Sequence, residues 1–350
     1  MHHFFRLTVC ALIGLGLGCK QEDGKSHPSK ELTGSGSTFI QPMMEQWAAV
    51  FKREKDIGIN YSGGGSTNGI KQMTDKATDF GCTDAPMTDE QIQKAEQEGG
   101  PVLHIPLVMG GVVPAYNLPG ITKPVRFTGA VLADIFLGKI KKWSDKQLQE
   151  LQEAGVTLPD QEIVTVHRAE GSGTTFIFTS YLSEVSPTWR DQVGAKQLVQ
   201  WPIGNGEKGN PGVAGFVKRT AGAIGYVELI FVLKNEIQFG AVRNKAGKFL
   251  LASLESVTRA AEAKLKAQPP TDLTISIVDA PGDESYPICG TTWAILYQKQ
   301  PADHGPAVKE FLTWATHAGQ EATAKNKYAA LPSSLVKLID EKLGTIQIAK

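Results

Sequence analysis

The chain has 350 residues, of which 41% are hydrophobic, enough to form two lobes of ordinary size around buried cores. Lysine plus arginine and aspartate plus glutamate number 36 each, so the formal net charge is zero, and no basic block is present to hold a polyanion. This composition excludes a fibre or a disordered tail and argues against a nucleic-acid partner.

Residues 1–19 have the pattern of a bacterial export signal, with a positively charged start, "MHHFFR", and an apolar stretch, "LTVCALIGLGLG", too short to span a bilayer. Cys19 follows at once, and Leu17-Gly18-Cys19 resembles the site at which a lipoprotein signal is cut and the new N-terminal cysteine receives lipid. Gly16 stands where that motif usually has leucine. We predict a lipoprotein-type signal peptide with lipidation at Cys19; the alternative is a soluble periplasmic protein in which this cysteine has no role.

Residues 20–30 are polar and charged, and they predict a flexible tether. Nothing from residue 31 onward predicts a membrane-spanning segment, so we expect membrane contact only through the lipid, and a location in the periplasm or cell envelope. Of the four cysteines, Cys10 and Cys19 belong to the signal, which leaves Cys82 and Cys289. These two can form a disulfide in an oxidising compartment or stay as separate buried thiols, and the sequence leaves both open.

The first part of the folded chain consists of two strand–turn–helix units. "ELTGSGSTF" predicts a short strand and a Gly/Ser turn, and the following helix carries Ile40, Met44, Trp47 and Phe51 on one buried face. "INYSGGGSTNGIKQ" repeats the arrangement and leads to a short strand that ends at "CTDAP". Successive units of this kind predict an α/β sheet with functional loops at the carboxyl ends of its strands.

Further along, "HIPLVMGGVVPAYNLPG" predicts a strand that leaves one lobe for another, and "QEIVTV" predicts a buried strand before a third Gly/Ser turn and a helix. Residues 245–280 predict mainly helix, "YPICGTTWAILY" predicts a strand, and a helix is expected on each side of "YAALP". We predict that the first lobe comprises residues 31–117 plus 286–350 and the second comprises residues 118–285.

Three donor-rich turns stand before predicted helices: "TGSGSTF", "SGGGSTNG" and "HRAEGSGTTF". The start of a helix leaves several N–H groups unpaired and carries partial positive charge, so such a turn suits a small oxyanion. Glycine lets the backbone approach closely, Ser and Thr add hydroxyl donors, and Arg168 can contact a tetrahedral anion with two N–H groups. A single turn of this kind is an ordinary helix cap, but three turns beside an arginine are more than folding requires.

The three turns do not match other phosphate-binding motifs. None of them continues into the Gly-Lys-Ser/Thr of a nucleotide P-loop, "GSGST" has no third glycine at the spacing of a dinucleotide fingerprint, and no Gly-x-Ser-x-Gly elbow is present. The seven histidines form no metal-binding pattern outside the signal, and there is no Cys-x-x-Cys, so we predict no metal and no metallophosphatase. We interpret His167 as a strand-end residue and not as a general base.

Taken in order, these segments resemble the phosphate-binding protein of the phosphate-specific ABC importer, from about residue 32 to the C-terminus. The motifs "HRAEGSGTTFIFTSYL" and "WPIGNGEKGNPGVAGFVKRTAGAIGYVE" are the most specific part of this resemblance. It implies a type II, Venus-flytrap fold: two hinged lobes, each with a central mixed sheet flanked by helices, that close over one phosphate. It also implies permease subunits with a cytoplasmic ATPase as partners, no cofactor, and a monomer.

The resemblance also carries over a set of phosphate ligands, with the main-chain N–H as the working group of the phenylalanine: Thr38, Phe39, Ser66, Asp84, Arg168, Ser172, Gly173 and Thr174. Asp84 is the informative member, because a carboxylate repels an anion unless that anion brings a proton to donate. Phosphate keeps a proton at neutral pH and sulfate does not, so Asp84 is expected to reject sulfate. Outside this context Asp84 would be interpreted as a solvated turn residue.

Glu170 departs from the family pattern, which usually has aspartate two residues after the arginine. Two arrangements are open: Glu170 pairs with Arg168 and positions it, or it turns into solvent and leaves the guanidinium less fixed. The alternatives to a transport protein are a phosphate sensor or scavenger without a permease, and a secreted phosphomonoesterase with Ser172 or Asp84 as nucleophile. No plausible base or metal accompanies those two residues in the sequence, so we expect no enzymatic activity.

Overall fold

The structure is a computed structural model that describes Met1 and residues 31–268 and 273–350. The predicted signal peptide, its lipidation site at Cys19 and the predicted tether therefore lie outside the described residues, apart from Met1. Among the residues described, no helix is both long enough and apolar enough to cross a bilayer.

The described chain alternates strands and helices. The strands are β1 (Glu31–Gly36), β2 (Gly58–Gly63), β3 (Phe80–Thr83), β4 (Val102–Tyr116), β5 (Arg126–Phe127), β6 (Val164–Arg168), β7 (Asn205–Glu207), β8 (Ala223–Glu228), β9 (Gln238–Phe239), β10 (Ala241–Arg243), β11 (Phe249–Leu250), β12 (Cys289–Tyr297), β13 (Lys299–Gln300) and β14 (Gln347–Ile348). The helices are α1 (Gln41–Lys55), α2 (Ser66–Thr74), α3 (Asp89–Gly99), α4 (Gly129–Phe136), α5 (Lys146–Gln149), α6 (Gly173–Val185), α7 (Pro187–Gln192), α8 (Gly209–Arg219), α9 (Leu229–Asn235), α10 (Leu254–Ala267), α11 (Gly305–Thr316) and α12 (Ser333–Gly344), with short 3₁₀ turns at Ala318–Ala322 and Ala324–Asn326.

One long strand connects the two halves of the main sheet, whose order is β2-β1-β3-β12-β4-β8-β6-β7. Residues 102–111 of β4 pair with antiparallel β12, and residues 112–116 pair with antiparallel β8. Parallel strands extend the sheet on both sides, β3, β1 and β2 on one side and β6 and β7 beyond β8 on the other. This mixed sheet, flanked by helices in each half, confirms the predicted two-lobed α/β fold. The lobe boundaries at 117 and 286 remain a prediction, and β4 ends one residue before the first of them.

The cores form where the sequence periodicity indicates. Met44, Trp47 and Phe51 of α1 are completely buried, and the Trp47 indole N–H donates to the Gly319 carbonyl at 2.8 Å. Phe51 also packs against the ring of Phe311 at a centroid distance of 5.4 Å. Helix α1 is thereby fixed with its N-terminus at the carboxyl end of β1, which is where the first Gly/Ser turn lies.

One segment of the chain differs from the sequence prediction. Residues 245–280 are not mainly helical: α10 is their one described helix, and residues 273–280 contain none. The sequence after Gln268 continues with two prolines, which cannot donate the backbone hydrogen bonds of a helix interior.

The structure also decides the state of the two cysteines. Cys82 and Cys289 are both free thiols, and burial raises the pKa of each above its ordinary value.

Gly69 allows α2 to lie directly on the first half of the sheet. A Cβ atom at this position would stand 2.7 Å from the Cys82 carbonyl oxygen and 2.7 Å from Gly36 Cα, and both of these are backbone atoms that cannot move aside. We therefore expect Gly69→Ala to lower the free energy of unfolding by about 1–3 kcal/mol, the usual cost of overpacking, despite the better helix propensity of alanine. Urea unfolding of both proteins measures the difference.

Gly344→Ala is the matched control, because a Cβ at Gly344 meets nothing within 4 Å. Its free energy of unfolding should be unchanged or slightly raised. Equal stability of Gly69→Ala and the wild type would show that α2 does not need this close approach.

Candidate functional site

The predicted site residues meet at the carboxyl ends of the parallel strands. Ser37–Phe39 follow β1, Ser66 follows β2, Asp84 follows β3, and Arg168 is the last residue of β6. Helices α1, α2 and α6 begin at the same place, as the sequence indicates, and α8 is a fourth helix whose first residues join them. The helix starts therefore converge from both halves of the sheet, and they bring their partial positive charge with them.

Arg168 is fixed in place by the second half of the sheet. Its backbone N–H donates to the Tyr226 hydroxyl at 3.1 Å, and the same hydroxyl lies 2.7 Å from Thr175 Oγ1 in the first turn of α6. The Tyr226 ring in turn stacks on Phe178 at a centroid distance of 4.4 Å. Strand end and helix start are thus held together around one arginine, which is only 3% exposed.

Glu170 pairs with Arg168, so the first of the two arrangements considered from the sequence is the one found. Glu170 Oε1 accepts Arg168 Nε–H at 2.9 Å as well as a short hydrogen bond from Nη2, and it also accepts the Gly209 N–H at 3.0 Å. The remaining guanidinium nitrogen, Nη1, donates to Thr174 Oγ1 at 3.4 Å. The extra methylene of glutamate has not freed the arginine, and the carboxylate additionally ties it to the start of α8.

Asp84 is buried, with 2% of its surface exposed, and each of its carboxylate oxygens accepts a hydrogen bond from one hydroxyl group. Ser37 Oγ donates to Oδ2 and Thr292 Oγ1 donates to Oδ1, both at 2.6 Å. Burial raises the pKa of Asp84 to about 6, and the hydrogen bonds from these hydroxyls and the charge of Arg168 oppose the rise. A carboxylate oxygen has two lone pairs, so each still has capacity to accept a proton from a ligand.

Two main-chain N–H groups that were expected to face the anion are bonded to hydroxyls in this structure. The Phe39 N–H donates to Ser37 Oγ at 3.0 Å, and the Gly173 N–H donates to Ser66 Oγ at 3.0 Å. Ser66 Oγ also accepts the Asp84 N–H at 3.2 Å, which occupies both of its lone pairs. Ser66 Oγ can therefore take part in a further hydrogen bond only by donating its proton.

The remaining predicted residues have packing and capping contacts. Ser172 Oγ accepts the Thr175 N–H at 3.2 Å and caps α6. The Phe39 ring is completely buried, 6.2 Å from the ring of Tyr328, which agrees with a packing role for this side chain. Gly173 lies directly on Asp84, since a Cβ there would stand 2.5 Å from Asp84 Cβ. All eight predicted residues thus lie in one neighbourhood.

The structure adds groups that the sequence reasoning missed: Ser37, Asn210, Tyr226, Glu228 and Thr292. Ser37 lies inside the first turn, and Asn210 lies in "EKGNPG", where α8 begins, so both had a local signal in the sequence. Tyr226 and Glu228 lie in β8 and Thr292 lies in β12, and the sequence reasoning gave none of the three a role.

Glu228 is a second buried carboxyl group close to Asp84. Its Oε2 accepts the Ile230 N–H at 2.7 Å as the cap of α9, and it is completely buried. Burial and the negative charge of Asp84 raise the pKa of Glu228 well above its ordinary value. The site environment therefore favours the neutral form of this carboxyl group over its charged form. The described residues contain no group of three potential metal-ligating side chains.

The fold and this buried set of hydroxyl, guanidinium and carboxyl groups define a two-lobed solute-binding protein. Residues 21–318 match the model of the PBP superfamily domain. Phosphate-binding protein PstS of Pasteurella multocida is 37% identical over 319 residues, covering 91% of each chain, and that of Xylella fastidiosa strain 9a5c is 38% identical over 358 residues, covering 96% of each. The chain belongs to the family of PstS phosphate-binding proteins.

A solved structure agrees on the fold. A high-affinity periplasmic phosphate-binding protein, PfluDING, solved with bound phosphate, superposes with a TM-score of 0.71 at 20% sequence identity. The match covers 89% of this chain and 93% of that one.

The buried carboxyl of Asp84 makes the stability of the ligand-free protein depend on pH. Its folded pKa of about 6 is raised above the ordinary 3.8, so the folded state holds the proton more tightly. The resulting stabilisation is complete below about pH 4 and is lost as the pH rises through about 6. We expect Asp84→Asn, which cannot ionise, to exceed the wild type in free energy of unfolding by up to about 3 kcal/mol above pH 6.

Urea unfolding in anion-free buffer across this pH range measures the effect, and the two proteins should converge near pH 4. Asp56→Asn is the control, because the pKa of that exposed carboxylate is lowered by Lys52 and any trend should have the opposite sign. A constant difference between Asp84→Asn and wild type at every pH would contradict the assignment.

Proposed function

We propose that the protein binds inorganic phosphate between its two lobes and delivers it to an ABC-type phosphate importer in the cytoplasmic membrane. The observation that carries this proposal is the buried set of donors around Arg168, together with the buried Asp84 carboxyl, whose oxygens retain capacity to accept a proton from a bound anion. Membership of the PstS family supports the same ligand and the same transporter.

We propose as phosphate ligands the residues that the sequence indicates: Thr38, Phe39, Ser66, Asp84, Arg168, Ser172, Gly173 and Thr174. Direct contact by Phe39 and Gly173 requires their main-chain N–H groups to exchange a serine hydroxyl for a phosphate oxygen. The hydroxyls and the guanidinium supply donors to the phosphate oxygens, and Asp84 accepts the hydrogen that phosphate carries at neutral pH. An anion without such a hydrogen leaves a carboxylate lone pair facing an oxygen lone pair, which costs on the order of 1–3 kcal/mol or more. Tight binding of a monoprotonated anion and rejection of sulfate follow from the same side chain.

Ligand binding is coupled to closure of the lobes. Hydrogen bonds already cross between the two halves of the sheet, from Gly173 N–H to Ser66 Oγ and from Asn210 to Thr38 Oγ1. Opening the lobes breaks these bonds and exposes the donors, and a bound phosphate adds further bonds that exist only in the closed form. The ligand thus shifts the population toward the closed form, which docks on the permease while a cytoplasmic ATPase drives transport.

We propose that no covalent step takes place. Ser172 Oγ is a helix cap that accepts a backbone N–H, and this contact does not activate it as a nucleophile. Asp84 is held by two hydroxyls, and the described residues contain no cluster of three potential metal ligands. A sensor or scavenger with the same pocket would differ only in lacking a permease, which copurification of permease subunits from membranes tests.

The proposed localisation of the protein rests on the sequence pattern of its first 30 residues. We propose that residues 1–19 are a lipoprotein-type signal, that lipid on Cys19 anchors a monomer to a membrane of the cell envelope, and that residues 20–30 form the tether. We further propose lobes of 31–117 plus 286–350 and of 118–285, connected through β4.

Isothermal titration of the purified full-length chain, stripped of bound anion in denaturant and refolded, tests the ligand. Phosphate should bind in a one-to-one ratio, and sulfate under the same conditions should not compete. Absence of heat with phosphate in a folded sample would overturn the proposed function.

Asp84→Asn tests whether this residue discriminates between anions or only stabilises the structure of the site. The amide keeps the size and can donate to an unprotonated oxygen, so we expect sulfate affinity relative to phosphate to rise by about 10- to 100-fold. Competition titration with both anions measures the ratio. Sulfate excluded as strictly by the variant as by the wild type would remove Asp84 from this role.

Cys19→Ser tests the anchor. Without the thiol that receives the lipid, the protein should move from the membrane fraction to the soluble envelope fraction and lose incorporation of labelled fatty acid. Cys10→Ser is the matched control, because Cys10 lies within the predicted signal and should leave both readouts unchanged. Fatty acid retained on Cys19→Ser would refute lipidation at that residue.

A further inference from the structure

The feature that carries a new inference is Asn210, the second residue of α8, which is completely buried. Its side-chain Nδ2 donates to Thr38 Oγ1 and to Thr174 Oγ1, each at 3.1 Å. Thr38 follows β1 in one half of the sheet, and Thr174 lies in α6 beside the other half. One carboxamide therefore bridges two hydroxyls that come from the two sides of the site.

The direction of these bonds is settled by the rest of the carboxamide. Asn210 Oδ1 accepts the backbone N–H of Glu228 at 3.0 Å, and a backbone N–H can only donate. The oxygen of the amide is thus assigned by its partner, and the NH₂ group must face the two hydroxyls. Both hydroxyl oxygens consequently act as acceptors toward Asn210.

A threonine hydroxyl has two lone pairs and one proton. Thr38 Oγ1 accepts from Asn210 Nδ2 and from the Asn210 backbone N–H, the latter also at 3.1 Å, so both of its lone pairs are occupied. Thr174 Oγ1 accepts from Asn210 Nδ2 and from Arg168 Nη1. Each hydroxyl has only its proton left to give, and among the described residues neither gives it to a protein acceptor.

We propose that Asn210 is a positioning residue for the anion: it fills the acceptor capacity of Thr38 and Thr174 and so forces both hydroxyls to donate to the ligand. This inference rests on the proposed function, and it adds a determinant of specificity. Hydroxyls that can only donate accept no ligand proton, so the proton of the anion can be received at Asp84 alone among these groups. Because the Asn210–Thr38 bonds join the two halves of the sheet, the Thr38 hydroxyl reaches this state only when the lobes are closed, whereas Thr174 lies on the same side as Asn210.

The test is a double-mutant cycle followed by phosphate titration of the full-length chain. Asn210→Ala should weaken phosphate binding by about 10- to 100-fold, because two hydroxyls regain the freedom to point away from the ligand. In a Thr38→Val background, which has already lost one of these hydroxyls, the same substitution should cost at least about threefold less. Asn210 acting only as structural support would cost the same factor in both backgrounds.

Asn117→Ala is the matched control. Asn117 Nδ2 also donates two hydrogen bonds to α8, but at its far end, to the carbonyls of Val217 and Lys218 at 3.0 and 2.9 Å. This variant should bind phosphate within about threefold of the wild type, since its amide touches no site hydroxyl. A loss as large as that of Asn210→Ala would indicate that α8 as a whole is needed, and would overturn the specific role.

Asn210→Asp covers the case in which the alanine variant does not fold. It keeps the volume and the acceptor for the Glu228 N–H. The NH₂ group that faced the two hydroxyls is replaced by an oxygen that accepts, so the hydroxyl protons point to this oxygen and away from the ligand. We expect a loss of at least about 100-fold, and phosphate affinity within about threefold of wild type in either Asn210 variant would overturn the proposal. A folded wild type that gives no heat with phosphate is a different result: it refutes the proposed function, and this inference falls with it.

Discussion

The arrangement of the site depends on one buried cation, the guanidinium of Arg168. Removing it from water is costly, and its hydrogen bonds to Glu170 and Thr174 compensate for that cost. Glu170 also neutralises most of its charge. The net charge left for an anion is therefore small, and most of the attraction comes from neutral hydroxyls and from the starts of four helices. This local balance agrees with a chain whose formal net charge is zero.

The carboxyl groups around this cation have different environments. Glu170 is paired with the arginine, Asp84 accepts two hydroxyls and has a pKa of about 6, and burial raises the pKa of Glu228 well above its ordinary value. Asp84 thus has hydroxyl partners and, among the described residues, no ion pair of its own. Such a group disfavours every anion that cannot give it a proton, so selectivity here arises from a cost imposed on the wrong ligand.

Much of the fold was accessible from local patterns. The buried face of α1, the buried strand before the third turn, and the long strand that crosses between the halves all follow from apolar periodicity and length, and each is present. Among the described residues, the helical expectation for 245–280 was wrong outside α10, because a Lys/Ala-rich composition indicates only a weak helix propensity, which tertiary contacts override. The thiols of Cys82 and Cys289 could not be assigned from the sequence, since pairing depends on distance in space.

The sequence by itself determined which residue types stand before each helix: small donors in three turns, an arginine with a nearby acid, and one aspartate after a strand. Those are local properties, because a cap, a turn and a strand end are each decided within a few residues. Only the tertiary structure decided what each donor does. Hydrogen bonding pairs groups far apart in the chain, so that Asn210 meets Thr38, Thr292 meets Asp84, and the Gly173 N–H meets the Ser66 hydroxyl. A hydroxyl becomes a donor or an acceptor according to which of its neighbours have already filled its lone pairs, and those neighbours are brought together by the crossing of β4 between the two halves of the sheet.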